Sequence, residues 1–467
     1  MNISRITWAV CVALMATPPL SAQNEATESE GTTSAFETAT SAVENMRLGW
    51  NLGNTLDSNS GDVNNMWIEA WSDRKPSDYE TAWGQPVTKP ELMQLFREAG
   101  FNAIRVPVTW YPHMEATFSS VKWDNAKQSL TPWDMANDDI GTQIQTAWMK
   151  RVHEVVDYVI SQGMYCILNV HHDTGEASTA WLIADEAVYD QQHERYEAVW
   201  QQIAEEFKDY DEHLLFEGYN EMLDSKHSWC FASFNTENRY DEAIATSAYN
   251  AINSYAQTFV NTVRATGGNN ARRNLIVSTY GACSGNGNWS THLLDPLKEM
   301  KLPDDPAGEG HIIFEIHSYP DISNLNNAKN EVLTNISNIK KHLISKGAPV
   351  IFGEWGTSSG SAYNNNRQNL LSFARYFVEQ AKANGVGTFY WMGLSDGEHR
   401  SVPEFNQPDL VEALVKGYYG EQGFEDGIHE LQNSQRQDNG CYDLQGRPLQ
   451  DIPAKGIYLK SGKKHVR

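Results

Sequence analysis

Short apolar runs, many of them β-branched, recur along the chain at Arg47–Asn54, Phe101–Val108, Tyr165–His171, Leu214–Glu221, Asn274–Ala282, His311–Tyr319, Pro349–Gly356 and Val386–Gly393. Between them the apolar period changes to that of a helix. Trp148, Val152, Val155, Val156, Val159 and Ile160 keep one helical face and stop at Gly163. Upstream, Thr88 and Glu91 have the spacing of a capping box, Pro90 falls in a first turn, and Gly100 stands where a left-handed terminator is expected. Strands alternating with helices pair in parallel through right-handed crossovers, and eight repeats predict an α/β fold, a closed (β/α)8 TIM barrel. Residues 42–432, assigned to the barrel, exceed the roughly 250 typical of this fold, so the excess is expected in long loops on the C-terminal face. One of these, Asp57 to Val87, carries Trp67, Trp71 and Trp83.

The ends of the chain differ in composition. Residues 1–22 hold Arg5, an apolar run from Ile6 to Ala16, Pro18, Pro19 and the small pair Ser21-Ala22, which predicts a secretory signal peptide cut after Ala22. The run is shorter than the roughly 20 residues a spanning helix needs, and no later segment approaches that length, so no membrane span is expected. The product is read as secreted: extracellular, periplasmic or on the cell surface. Residues 23–41, rich in Glu, Thr, Ser and Ala with one aromatic, Phe36, read as a flexible leader. Four cysteines then remain, Cys166, Cys230, Cys283 and Cys441, too few for a disulfide scaffold. Cys166 reads as an inert buried thiol, Cys230 and Cys283 fall in loops where they could pair, and no metal-type CxxC occurs.

Charge narrows the choice of partner. With 36 basic and 60 acidic side chains the net charge is −24, and nucleic acid or anionic membrane is excluded as a main partner, since both demand clustered Lys and Arg. A neutral polysaccharide or oligosaccharide fits better. The 15 Trp, 20 Tyr and 16 Phe supply flat apolar faces that suit sugars as well as a large core. Nucleotide cofactors lack support: the first strand ends Gly53-Asn54-Thr55-Leu56-Asp57, and neither a GxGxxG register nor a GxxxxGK[ST] loop is present. No cofactor is expected, and the chain is read as a monomer.

In a TIM barrel the chemistry sits at the C-terminal ends of the strands, and those ends are polar here. The second run carries Arg105, the third Asn169, His171, His172 and Asp173, the fourth Asn220 and Glu221, the sixth His317 and Tyr319, the seventh Glu354 and the eighth Trp391. Glu221 and Glu354 each follow an apolar run, Leu214-Leu-Phe and Val350-Ile-Phe, unusual company for a solvated acid. Two convergent carboxylates serve glycosidic cleavage; the bland alternative is a pair of structural acids at the barrel mouth. Three rival readings compete. The cluster His171, His172, Asp173 and His317 suggests a metal, but the first strand lacks a His-x-His pair, and no metal is assigned. Gly356-Thr-Ser-Ser-Gly360 matches GxSxG of serine esterases, with Ser358 as nucleophile, although the following helix begins several residues too late for a nucleophile elbow. A non-catalytic glycan-binding protein would leave the carboxylate pair without purpose.

Together, Gly49-Trp-Asn-Leu-Gly-Asn-Thr-Leu-Asp57, Glu80-Thr-Ala-Trp-Gly-Gln-Pro86, Ile104-Arg-Val-Pro107, Asn169-Val-His-His-Asp173, Phe216-Glu-Gly-Tyr-Asn-Glu221, His317-Ser-Tyr319 and Phe352-Gly-Glu-Trp355 resemble the motifs of family-5 glycoside hydrolases of the cellulase type. The resemblance implies a retaining enzyme that cleaves internal β-1,4 linkages of plant-type glucan, cellulose, mixed-linkage glucan or xyloglucan, with mannan as the alternative. It further implies Glu221 as acid/base and Glu354 as nucleophile, about 5 Å apart. Arg105 and Tyr319 would bind Glu354, Asn220 the sugar 2-OH, His171 and His172 sugar hydroxyls, and His317 would tune the acid above the Trp391 platform. The continuation Met222-Leu-Asp-Ser-Lys-His-Ser-Trp229 departs from the Pro that often follows Asn-Glu in the family. At the far end, residues 433–467 resemble C-terminal sorting segments of type IX secretion, with a final strand pair packed on the barrel as the alternative.

Overall fold

A computed structural model describes residues 36–229, 240–286, 291–358 and 366–421, and strand residues 441–442, 448–449, 457–460 and 463–466. Each of the eight apolar runs contains one barrel strand: β1 Leu48–Asn51, β2 Ala103–Val106, β3 Tyr165–Asn169, β4 Leu214–Glu217, β5 Leu275–Ser278, β6 Ile312–Ser318, β7 Val350–Trp355 and β8 Gly387–Trp391. They close in the order β1-β8-β7-β6-β5-β4-β3-β2, every pair parallel.

Because side chains alternate across a strand, each barrel strand faces two cores. Outward residues such as Ile104, Leu168, Phe216, Val277, Phe314 and Phe352 pack with the surrounding helices. Inward residues Ala103, Ile167, Leu215, Ile276, Ile313, Ile351 and Phe389 form a separate apolar floor with Ala39, Ala42, Val43 and Met46. These last four lie on one face of the helix Ala39–Met46, capped by Thr38, whose hydroxyl accepts from the Ser41 N–H. Ala39 donates to Gly310 and Asn102 to Asn45, both just ahead of strands, so this helix plugs the N-terminal end of the barrel. It begins inside the stretch expected to be a flexible leader. The spacing i, i+3, i+4, i+7 of its apolar residues signals the helix, and the Thr- and Ser-rich composition around it masked that signal.

The capping box expected at Thr88 does not form. The helix Pro90–Glu98 starts with Pro90 behind Lys89, which makes no side-chain cap. Buried Glu80 instead takes the Thr88 N–H at 2.7 Å and pairs with Arg151 through both oxygens at 2.9 Å, a charge-assisted arrangement stronger than a hydroxyl cap. Gly100 does adopt the left-handed region, φ +102°.

The connections after β1 and β2 are long and cover the C-terminal face, the second holding a hairpin of Trp123–Asp124 and Ser129–Leu130. In the tail, Cys441–Tyr442, Pro448–Leu449, Ile457–Lys460 and Lys463–Val466 pair antiparallel in their own four-stranded sheet, two strands more than the pair weighed from sequence. Cys166 is buried and its thiol is pushed up by burial. Cys230 lies outside the described residues, so its pairing with buried Cys283 does too. Among the described residues no helix is long and apolar enough to cross a membrane.

Candidate active site

Above the apolar floor, the next inward positions are Asn51, Arg105, Asn169, Glu217, Ser278 and Glu315, all buried. A buried charge is costly unless paired and hydrogen-bonded, and Arg105 commits every donor it has. Its Nε and Nη2 bind Glu217 at 2.6 and 2.7 Å, Nη2 binds Asn220 Oδ1 at 2.7 Å, and Nη1 binds Asn51 Oδ1 at 3.0 Å and Glu354 Oε1 at 2.8 Å. Glu315 stands 3.4 Å from Nε. The two acids respond differently to this shared cation. Burial, opposed by Arg105 and assisted by Glu315, pushes Glu217 up to about 7, whereas burial of Glu315 is outweighed by Arg105 and His317, which hold it below its ordinary value.

Strict alternation would turn Glu354 outward, since Phe352 faces the helices and Ile351 the floor. It turns inward because β7 carries a bulge. Opposite β6, Ile316 pairs with Phe352 and His317 with Glu354, skipping Gly353; opposite β8, Thr388 pairs with Phe352 and Tyr390 with Trp355. One extra residue re-aims the side chain. Glu354 Oε1 then meets Arg105 and Oε2 accepts from the Tyr319 hydroxyl at 2.7 Å. Burial raises its carboxyl above the ordinary value, and His317 and Arg105 limit the rise.

Glu221 lies beyond β4 on a segment held to β3 by the Asn220 N–H, which donates to the Val170 carbonyl at 3.0 Å. Its side chain is 22% exposed against 6% for Glu354, so Glu221 opens to the cleft while Glu354 sits in the wall. His317 bridges them: Nδ1 is 2.7 Å from Glu221 Oε1 and 3.6 Å from Glu354 Oε2, and Nε2 is 3.4 Å from Glu315 Oε1. Burial alone would strip this imidazole of its proton, but Glu354, Glu221 and Glu315 together raise it to about 10. His317 is therefore a cation at neutral pH. Facing atoms of Glu221, His317 and Glu354 all lie within 4.8 Å of one another.

His171 is set differently. Asn169 Oδ1 accepts from the Val108 N–H at 3.1 Å, which leaves its amide group to donate to Glu217 at 2.8 Å and to His171 Nδ1 at 3.0 Å. The proton of His171 thus sits on Nε2, 3.8 Å from Glu354 Oε1, and burial keeps the ring neutral. His172 lies half-buried with Nε2 3.9 Å from Asp57, its pKa lowered by burial to about 4. The Trp391 ring lies parallel to His171, 7° between planes and 5.8 Å between centroids. Asn220, its side-chain oxygen occupied by Arg105, lines the open site. An open cavity of 720 Å³ runs from Asn220 and Glu221 past His172 and Trp83 to Trp229, walled by residues 59–62 and 175–178.

Among the described residues two groups have the spacing of metal ligands, Glu221, His317 and Glu354 on one side, Asp57, His171 and His172 on the other. In the first, His317 Nδ1 already hydrogen-bonds Glu221 at 2.7 Å, and Glu354 accepts from Arg105 and Tyr319. Asp57 already accepts the N–H groups of Asn54 and Thr55. Asp173, which the sequence pattern grouped with the histidines, accepts from the Trp110 and Tyr111 backbones and from the Trp181 indole and so ties loops together. Ser358 is exposed and its N–H is bound to the Pro320 carbonyl; residues 359–365, where an elbow helix would have to start, lie outside the described residues.

The family model for cellulase (glycosyl hydrolase family 5) matches residues 64–396. The chain belongs to glycosyl hydrolase family 5. As a member it is a glycosidase of the endo-β-glycanase type, and its relatives carry matching names. It is 33% identical over 398 residues to Endoglucanase B of Neocallimastix patriciarum, covering 80% of this chain and 71% of that one. Among solved structures, a broad specificity endoglucanase from an uncultured bacterium is 49% identical with TM-score 0.73, over 83% of this chain and 97% of the other. A family 5 enzyme from Prevotella bryantii B14, in complex with a xyloglucan tetradecasaccharide, is 38% identical with TM-score 0.67, over 82% and 99%.

All nine site residues expected for this glycosidase, Arg105, His171, His172, Asn220, Glu221, His317, Tyr319, Glu354 and Trp391, converge on one end of the barrel. The residues missed were the supporting ones: Asn51, Asn169 in its bridging role, Glu217 and Glu315. A charged residue at an inward position of an otherwise apolar strand was the available signal, visible in Phe216-Glu-Gly and Phe314-Glu-Ile.

Proposed function

We propose that this family 5 glycosidase is a secreted, retaining, endo-acting β-1,4-glucan hydrolase, with Glu354 as nucleophile and Glu221 as acid/base. The observation that carries this reading is the approach of the two carboxylates, whose facing oxygens lie within 4.8 Å; retaining pairs stand about 5–5.5 Å apart, whereas inverting pairs leave about 6.5–9.5 Å for a water. Glu354, immobilised by Arg105 and Tyr319, attacks the anomeric carbon. Glu221, open to the cleft and hydrogen-bonded by His317, gives its proton to the leaving oxygen and then takes one from the incoming water. Asn220 donates to the 2-OH, the neutral His171 donates through Nε2, and Trp391 carries the face of the sugar.

For substrate class, plain and branched or mixed-linkage β-1,4-glucans are favoured over mannan. The cavity is open and lined by Trp83 and Trp229, and the similar proteins are named endoglucanases, one of them of broad specificity. Residues 1–22 as signal peptide and 433–467 as sorting segment complete the proposal, checked by N-terminal sequencing of the exported protein and by export of a tail-truncated chain.

Azide rescue tests the roles. In Glu221→Ala, azide enters where the base once activated water and should give a β-glycosyl azide from an activated aryl β-glycoside. In Glu354→Ala it occupies the nucleophile's own face and should give the α product. Opposite stereochemistries would exchange the two roles, and hydrolysis of none of a panel of β-1,4-glucans would refute the substrate class.

A further inference from the structure

Two tryptophans on the C-terminal face take no part in the site. Trp71 is 63% exposed and Trp123 45%, yet their rings meet with centroids 6.1 Å apart and planes inclined by 51°. Neither is left loose. Trp71 ends the helix Trp67–Trp71, whose Ile68 and Glu69 are buried, and Glu69 binds the Ser60 hydroxyl at 2.6 Å and the Tyr79 hydroxyl at 3.1 Å. Trp123 pairs with Leu130 in the hairpin, and the hairpin's loop is tied to the loop of Trp71 by the Trp133 N–H, which donates to the Val63 carbonyl at 2.6 Å. Ser60 also lines the open cavity with Asn59, Gly61 and Asp62. The segment that anchors the helix of Trp71 is thus also a lining segment of the open cavity.

We infer that Trp71 and Trp123 form an ancillary platform on which a neutral β-linked polysaccharide, already held in the cleft, rests a further pyranose. Leaving two large apolar faces in water is unfavourable, and two inclined indoles offer stacking surfaces for the axial C–H face of a sugar. The net charge of −24 disfavours an anionic ligand. Both rings belong to connections that follow barrel strands and so open on the same face as the carboxylates. The inference rests on the proposed action on polysaccharide.

The test uses the full chain carrying Trp71→Ala and Trp123→Ala, with soluble xyloglucan or mixed-linkage β-glucan compared against an aryl β-cellobioside. The KM for the polymer should rise about 3- to 10-fold, the worth of one aromatic stack, with kcat unchanged and kcat/KM for the aryl substrate within about twofold. In native gels containing the same polymer, Glu354→Gln protein should be retarded, and the triple variant retarded less. An unchanged polymer KM with unchanged retardation overturns the inference, as does an equal loss on both substrates. Concentration-dependent sedimentation of the wild type that disappears in the double variant would overturn it in favour of a second copy of the chain. Failure of the wild type on every polymer would refute the proposed function instead, so the two outcomes are distinguishable.

Discussion

A β-carbon on Gly353 would lie 1.5 Å from Oε1 of Glu315. The bulge that turns Glu354 inward and the absence of a side chain beside it are therefore one device: the space left by Gly353 holds the carboxylate that faces Arg105 and His317. Ser278 completes the pocket by donating to Glu315 Oε2 at 2.7 Å. Gly353→Ala is expected to destabilise the protein by about 1–3 kcal/mol through overpacking and to lower kcat. Chemical denaturation and polymer hydrolysis measure the two effects, and an active, fully stable variant would show that Glu315 can move without consequence.

Glu315→Gln keeps the shape of that side chain and removes its charge. With one of three acid neighbours neutralised, His317 should lose its proton at a lower pH than the about 10 it reaches in the wild type, and the alkaline limb of the kcat profile should move to lower pH. Fold loss without a change in the limb would mark Glu315 as structural only.

The same shift has a stability consequence. Because the folded-state pKa of His317 is raised from 6.5 to about 10, its contribution is present in full below pH 6.5 and is lost as pH rises through about 10. The thermal midpoint of the wild type should exceed that of His317→Gln near pH 6, and the gap should narrow toward pH 10.5. A gap that widens with pH would contradict a cationic His317.

Glu354→Gln should lower hydrolysis by about 10³-fold or more, roughly 4 kcal/mol or more of lost transition-state stabilisation, with a folded protein by circular dichroism. Ser358→Ala should turn over at nearly the wild-type rate. A severe loss in the serine variant would revive the esterase reading.

Chelation should leave the rate unchanged, since proton transfer and a covalent sugar intermediate need no Lewis acid. Activity lost to EDTA and restored by zinc would assign a metal to one of the two His-containing clusters.

Local pattern determined much of this protein. Short apolar runs interrupted by helical periodicity specify eight parallel strands, and polar residues at their C-terminal ends marked Glu221, Glu354 and the seven side chains around them, because a barrel brings all strand ends to one face whatever lies between. The helix Ala39–Met46 was legible in its apolar spacing, yet that it plugs the barrel was not, since its partners are seven strands distributed over the whole chain. Tertiary structure alone decided the rest. Whether an inward acid is paired depends on a residue more than a hundred positions away, as with Arg105 and Glu217. The cationic state of His317 is the sum of three carboxylates from three strands or their extensions. The inward turn of Glu354 comes from a register slip against both neighbours of β7. Charge state and register are properties of surroundings, and a sequence names its residues without their distances.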